Sequence, residues 1–210
     1  MGRNLGSSCK LCRREGMKLF LKGFRCETSK CAIERRQKSL APGMHGWRRS
    51  RGTDYGVRLR EKQKVKRFYG LGETQFMRYF QRSESTIGNT GEILLTLLER
   101  RLDNVIYKLN FAASRKAARQ IIVHGHIYIN GRKVNIPGYQ ISIGDKITLK
   151  PNDKSAKIIK AQLETNPNFT AQSWLQLDLK TPSAAIVALP TRQDIQIPIE
   201  EQLVVEFCSR

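Results

Sequence analysis

Four of the five cysteines of this 210-residue chain stand at its start, Cys9, Cys12, Cys26 and Cys31, in the spacing C-x2-C-x13-C-x4-C. Two close pairs separated by a short excursion can bring four thiolates to one ion, because a knuckle of two or four residues turns both of its sulfurs inward. Zinc is the default occupant, and an iron–sulfur cluster suits the same all-thiolate set. With all four positions taken by protein, no position is open to water or substrate, so such a metal is a staple and not a catalyst. The other readings are ordinary buried or free thiols, disulfides and a redox-active pair. A reducing compartment disfavours disulfides, and a C-x-x-C outside a thioredoxin-like βαβ unit is weak evidence for redox chemistry. Lys10, Arg13, Arg14, Lys22, Arg25 and Lys30 lie around the four, and positive charge favours thiolate over thiol. Cys208 is remote and reads as a small packed residue.

Catalytic constellations are not apparent. The sequence holds no Gly-rich phosphate loop, no Ser/His/Asp set and no metalloprotease helix. His124 and His126 could ligate a metal or act as a base, but without a nearby nucleophile-and-carboxylate arrangement packing or phosphate contact is the better reading. No run approaches the ~18 apolar residues of a membrane span. The first residues lack the apolar core of a secretory signal and the character of a transit peptide, so a cytoplasmic location is expected.

Charge points to a partner. Lys and Arg number 38 against 18 Asp and Glu, a formal charge of +20, and folding does not require such an excess; a polyanion is its natural counterpart. The distribution is uneven. Residues 1–82 hold 22 Lys and Arg against 6 acids, and residues 83–210 hold 16 against 12. A hydrophobic fraction of 40% allows an ordinary core in one or two domains.

The elements that must position these groups can be read from breakers and periodicity. Residues 1–52 have few periodic apolar positions and need an external staple. Ala41 to Gly52, with one Pro and three Gly, reads as an exposed loop carrying Arg48, Arg49 and Arg51. Thr53-Asp54 caps a basic helix from Val57 to Tyr69, ended by Gly70, with Arg58, Arg60, Lys62, Lys64, Lys66 and Arg67 spread so widely around the barrel that little of it can be buried. Tyr55, Phe68 and Tyr69 are stacking faces for bases or core anchors of that helix. A short helix near Thr74 to Arg82 brings Phe76, Tyr79 and Phe80 to one side. Another opens at Asn89 and Glu92 and shows a core stripe of Leu94, Leu98, Leu102, Val105 and Leu109. Ser114 caps a helix with Ala118, Ile121 and Ile122 inward and Arg115 and Arg119 sharing the outer face, ended by Gly125. His126 to Ile129 is a strand, Asn130-Gly131 a type I′ turn bearing Arg132 and Lys133, and Ile141 to Leu149 and Trp174 to Leu179 are further strands. Gln202 to Phe207 is a strand or short helix packed on something else.

The runs CKLCRREG, APGMHGWRRSRGTDYGVRLREKQKVKRFYG, LLERRLDNVIYKLNFAASRKAARQIIVHGHIYINGRKVNIP and EQLVVEFCSR, in this order, resemble the bacterial small-subunit ribosomal protein S-four family. The resemblance spans essentially the whole chain, and the α-then-β module looks like the small RNA-binding domain named after that family. It implies a structural, non-enzymatic constituent of the small ribosomal subunit that binds ribosomal RNA at a helical junction of the 5′ domain and acts early in assembly. It also implies a place beside ribosomal proteins three and five, at the channel through which messenger RNA enters. By position, Arg48, Arg49 and Arg51 match the loop lining that channel, and Lys62, Lys64 and Arg67 match the basic helix on the RNA. The four cysteines mark a metal-bearing subtype.

The expected protein is therefore mixed α+β, a helical N-terminal domain with a four-cysteine knuckle plus an inserted α-then-β RNA-binding domain. Its boundaries are 1–52 for the knuckle and basic loop, 53–91 for the helical part, 92–198 for the inserted domain and 199–210 for a tail packing on the first. The RNA-facing set comprises Arg3, Arg13, Arg14, the three loop arginines, Arg58, Lys62, Lys64, Arg67 and Tyr69, then Arg115, Lys116, Arg119 and Arg132 from the inserted domain. No membrane and no small-molecule substrate is expected.

Overall fold

The structure, a computed structural model, describes residues 6–35, 40–47, 52–150, 153–165, 169–178, 182–195 and 197–209. Its elements run α1 (Ser8–Glu15), a 3-10 turn (Gly23–Cys26), α2 (Asp54–Phe68), α3 (Glu73–Glu84), α4 (Thr90–Glu99), α5 (Leu102–Lys108), α6 (Arg115–Val123), β1 (Ile127–Ile129), β2 (Arg132–Lys133), β3 (Lys146–Leu149), α7 (Asp153–Thr165), β4 (Leu175–Asp178), β5 (Ser183–Ile186), a 3-10 turn (Arg192–Asp194) and α8 (Glu201–Cys208). They form two units, Met1–Leu94 with Ile197–Arg210, and Leu95–Gln196.

In the first unit the Thr53 hydroxyl accepts the Gly56 N–H at 3.2 Å and so starts α2. Phe76, Tyr79 and Phe80 are buried on one side of α3. Glu201–Cys208 is the short helix of the two forms expected there, and this α8 lies against α2, where the Phe207 ring stands 5.3 Å from that of Tyr55 and 4.6 Å from the Lys62 ammonium. This neighbour corrects the expectation that α2 is barely buried, for Glu61, Lys62, Val65 and Phe68 are all covered.

In the second unit, Ser114 caps α6 by accepting from Ala117 N–H at 3.3 Å. Gly125 leaves that helix at φ 72, a conformation cheap only for glycine. Asn130 and Gly131 both have positive φ, and Ile129 faces Arg132 across the turn, as a two-residue type I′ hairpin requires. Among the described residues five strands form one antiparallel sheet in the order β2-β1-β3-β5-β4. Alternate residues Ile127 and Ile129 join Ile147, Leu175 and Ile186 in a cluster closed by Leu102, Ile106 and Ile122 from the helices.

Two expectations are corrected. The Leu94-to-Leu109 stripe is two helices: Arg101 is extended at ψ 134 and bridges Gln140, while the N–H groups of Leu102 and Asp103 donate to Tyr139 and Pro137. The strand expected from Ile141 begins only at Lys146, because Asp145 folds back to accept the Ser142 N–H and Gly144 takes φ 87. α7 and β5 have no counterpart in the sequence reading.

Candidate nucleic-acid interface and cysteine cavity

α1 carries Cys9 and Cys12, the 3-10 turn ends on Cys26, and Cys31 follows in the next turn. All four line one small cavity, with Leu21 and Lys22 beside them, and none is in a disulfide. The Lys22 N–H points at the Cys26 sulfur at 3.4 Å. Burial pushes the Cys12 and Cys26 thiols up, more than backbone donation from Leu19 and Lys22 pulls them down, and the neighbouring cysteines add to the rise. Among the surrounding cations Lys18, which pairs with Glu34, pulls the Cys26 thiol down by less than burial raises it. Among the described residues, no group of three or more His, Cys, Asp or Glu is arranged to hold a metal ion. The donor chemistry nevertheless suits one, since four thiols share a cavity and a backbone N–H aims at one of the two most buried sulfurs.

The basic helix α2 is laced by its own acids. Arg58 Nε donates to Glu206 of α8 at 2.6 Å, Lys64 pairs with Glu61, Lys62 and Lys66 share Glu73 of α3, and Arg60 and Arg67 share Glu15 of α1. These six cations meet four carboxylates and stay part-exposed, which orders the surface without neutralising it. Lys62 is the exception: it is 8% exposed, with Glu73 and the Phe207 ring both on its ammonium.

In the second unit α6 and the β1–β2 hairpin bring a second basic group together. Lys116 is exposed, Arg119 half-exposed, and Arg132 and Lys133 stand on the outer strand. The Lys133 stem crosses Gly125 so closely that a Cβ there would meet its Cε at 2.2 Å. His124 and His126 lie beside it with ring centroids 6.2 Å apart, His124 bonded to Gln120. Beneath α6 lies a polar layer: Arg115 donates to Asn104 at 2.8 Å and stacks over Tyr107, Asn104 donates to Glu99, and Arg101 pairs with Asp103 at 2.9 Å.

The chain's first part, residues 3–99, matches the family described as ribosomal protein S4/S9 N-terminal domain, and residues 100–147 match the S4 domain. Proteins named small ribosomal subunit protein uS4 align over all 210 residues and over their whole length, at 54% identity in Halothermothrix orenii, 52% in Pelotomaculum thermopropionicum and 50% in Clostridioides difficile. This chain belongs to the uS4 family. The S4-domain match starts at Arg100, within one residue of the break between α4 and α5, and ends inside β3. It contains α6, the hairpin and, apart from Glu99, the polar layer below them.

Within the family fold the expected RNA-facing residues separate into groups. Arg14, Arg58, Lys64, Arg67, Lys116, Arg119 and Arg132 keep exposed or half-exposed positions. Arg13 turns back, donating to the carbonyls of Leu40 and Ala41. Tyr69 as a stacking face is corrected: it is 2% exposed and packs edge-on against Phe68. Arg115 as an outer-face residue is corrected too, since at 7% exposure it supports α6 from below. Arg3, Arg48, Arg49 and Arg51 lie outside the described residues. Sequence reading missed Glu15, Glu99, Arg101 and Asp103. The one available signal was their isolation: Glu15 is a lone acid in a basic run, and Arg101 and Asp103 interrupt an apolar stripe.

No described helix is long and apolar enough to cross a membrane.

Proposed function

We propose that this protein is a structural constituent of the small ribosomal subunit, one that binds ribosomal RNA directly, takes part in assembly and catalyses nothing. The observation that carries the reading is full-length membership of a family whose relatives are named for that subunit, in a chain with 22 of its 38 Lys and Arg in the first 82 residues. Phosphate neutralisation by α2 and by the α6–hairpin surface supplies affinity, and their fixed geometry supplies recognition of RNA shape. Filter binding of small-subunit RNA over a salt series tests this. Each phosphate contact should add about 0.7–0.9 to the slope of log affinity against log salt. Salt-insensitive binding, or preference for duplex DNA in competition, overturns it.

Two finer readings extend the proposal. The four cysteines hold one structural zinc, or an iron–sulfur cluster in its place, supported by their spacing and shared cavity. Elemental analysis with an absorption spectrum decides: one zinc per chain without a visible band supports the first, iron with a brown colour the second, and no metal removes both. The Arg48, Arg49 and Arg51 loop lines the channel through which messenger RNA enters, beside ribosomal proteins three and five, in a cytoplasmic ribosome. Crosslinking from that loop to messenger in assembled subunits tests it, and crosslinks only to ribosomal RNA count against it.

A further inference from the structure

Glu15 occupies a position that should repel a carboxylate. It is the last residue of α1, where the helix's carbonyl end disfavours negative charge, and its side chain is 0% exposed. Its Oε2 is buried without a hydrogen-bond partner, and burial raises its pKa against the opposing pull of Arg67 and then Arg60. A glutamine or an apolar residue would sit there at lower cost. The carboxylate adds the charge that both would lack: its Oε1 gathers two guanidinium groups in charge-assisted bonds, Arg67 and, at 3.4 Å, Arg60. Those arginines are seven residues apart on α2, two helical turns, and so rise from one stripe of the helix. Their side chains remain 37% and 21% exposed, and a guanidinium has five N–H donors, so each keeps donors for a second anion.

We propose that Glu15 is a positioning residue for RNA binding, which holds Arg60 and Arg67 as a paired fork for neighbouring phosphates of one RNA strand. The inference rests on the reading of this protein as a ribosomal-RNA binder. Fixing both forks before the encounter removes the ordering cost that two long mobile side chains would otherwise impose on binding. Because α1 also carries Cys9 and Cys12, whatever orders the cysteine turn also sets the position of Glu15, and through it the two arginines.

The competing account, in which Glu15 only relieves repulsion inside the unit, predicts an effect of opposite sign. Removing an anion from a polyanion-binding surface then leaves affinity unchanged or raises it. The test is Glu15→Gln in the full chain, titrated with small-subunit ribosomal RNA over a salt series and checked by circular dichroism. Positioning predicts binding about 3–30-fold weaker and a salt slope shallower by roughly 1–2. It also predicts no further loss when Glu15→Gln is added to Arg60→Ala/Arg67→Ala. Unchanged or tighter binding overturns the proposal, as does an equal loss in the arginine-less background. If Glu15→Gln unfolds the first unit, Arg67→Lys carries the test with charge unchanged: a several-fold loss supports the fork, and full affinity overturns it. Failure of the unaltered chain to bind this RNA removes the RNA reading itself, and this inference with it.

Discussion

Among the described residues before 53, the buried apolar side chains are Cys12, Leu19, Leu21 and Cys26, whereas the second unit folds around a continuous cluster from Leu102 through Ile147 to Trp174 and Ile186. Ion pairs are distributed the other way. Those of Glu15, Glu34, Glu61, Glu73 and Glu206 all belong to the first unit, while the Arg101–Asp103 pair is buried in the second. The stretch before 53 relies on charge pairing with α2 in place of apolar burial, although α2 and α3 bury Val65, Phe68, Phe76 and Phe80, and this leaves ordered cations near the surface where a polyanion can reach them. The second unit keeps its shape by packing and carries fewer cations on a firmer frame. Partly exposed pairs contribute only about 0–1 kcal/mol each, so the first unit is the one whose order should depend most on what it binds.

The largest test of that contrast is Trp174→Ala. Removing a fully buried indole should cost the second unit about 3–5 kcal/mol in urea unfolding, while hydrogen exchange in α2 stays unchanged. Asp103→Ala comes next. It leaves Arg101 buried without its countercharge, and a loss of roughly 3 kcal/mol is expected, read by the same unfolding experiment. A loss below ~1 kcal/mol would mean that packing alone holds this layer. Cys12→Ser reverses the target: opening of residues 8–35 should become easier by roughly 2 kcal/mol in hydrogen exchange, with the second unit unaffected. If the second unit loosens equally, the contrast fails. Thr53→Ala should cost α2 about 1 kcal/mol, visible as faster exchange at its first turn.

The smallest effect is a pH dependence in the second unit. Burial alone would raise the Asp194 pKa, but the Thr191 N–H and hydroxyl and the Ser173 hydroxyl together hold it below the ordinary value. A depressed carboxyl contributes stability that is present above its unfolded pKa, near ~3.9, and is lost as pH falls through the lower folded value. Asp194→Asn should therefore lower the urea midpoint at pH 6 and converge with the unaltered chain as pH falls below that range. A constant gap would assign the effect to the hydrogen bonds alone.

Local chemistry was legible in the sequence and distant pairing was not. Thr53, Ser114, Gly125 and Asn130-Gly131 act within four residues of themselves, and each does what its type predicts. The break at Arg101 was unreadable because its partners, Pro137, Tyr139 and Gln140, are more than thirty residues away. β5, reading Ser-Ala-Ala-Ile, has little strand character of its own and exists between β3 and β4. At the site, the clustering of cations was visible from composition, but the burial of Lys62 depends on Glu73 and on Phe207 near the chain's end. A cation reads as exposed until its distant acid is known.

The turn at Asn130-Gly131 bears on chemical ageing. An asparagine before glycine is prone to lose its amide, because the unhindered glycine nitrogen can swing onto the side-chain carbonyl carbon and close a ring. Here both ends of that amide are held: Nδ2 donates to Asp145 and Oδ1 accepts from Lys146 N–H, each at 2.9 Å. The group cannot rotate into line for attack without giving up both bonds. The hairpin that presents Arg132 is thereby guarded against slow deamidation, which would place a carboxylate beside its cations.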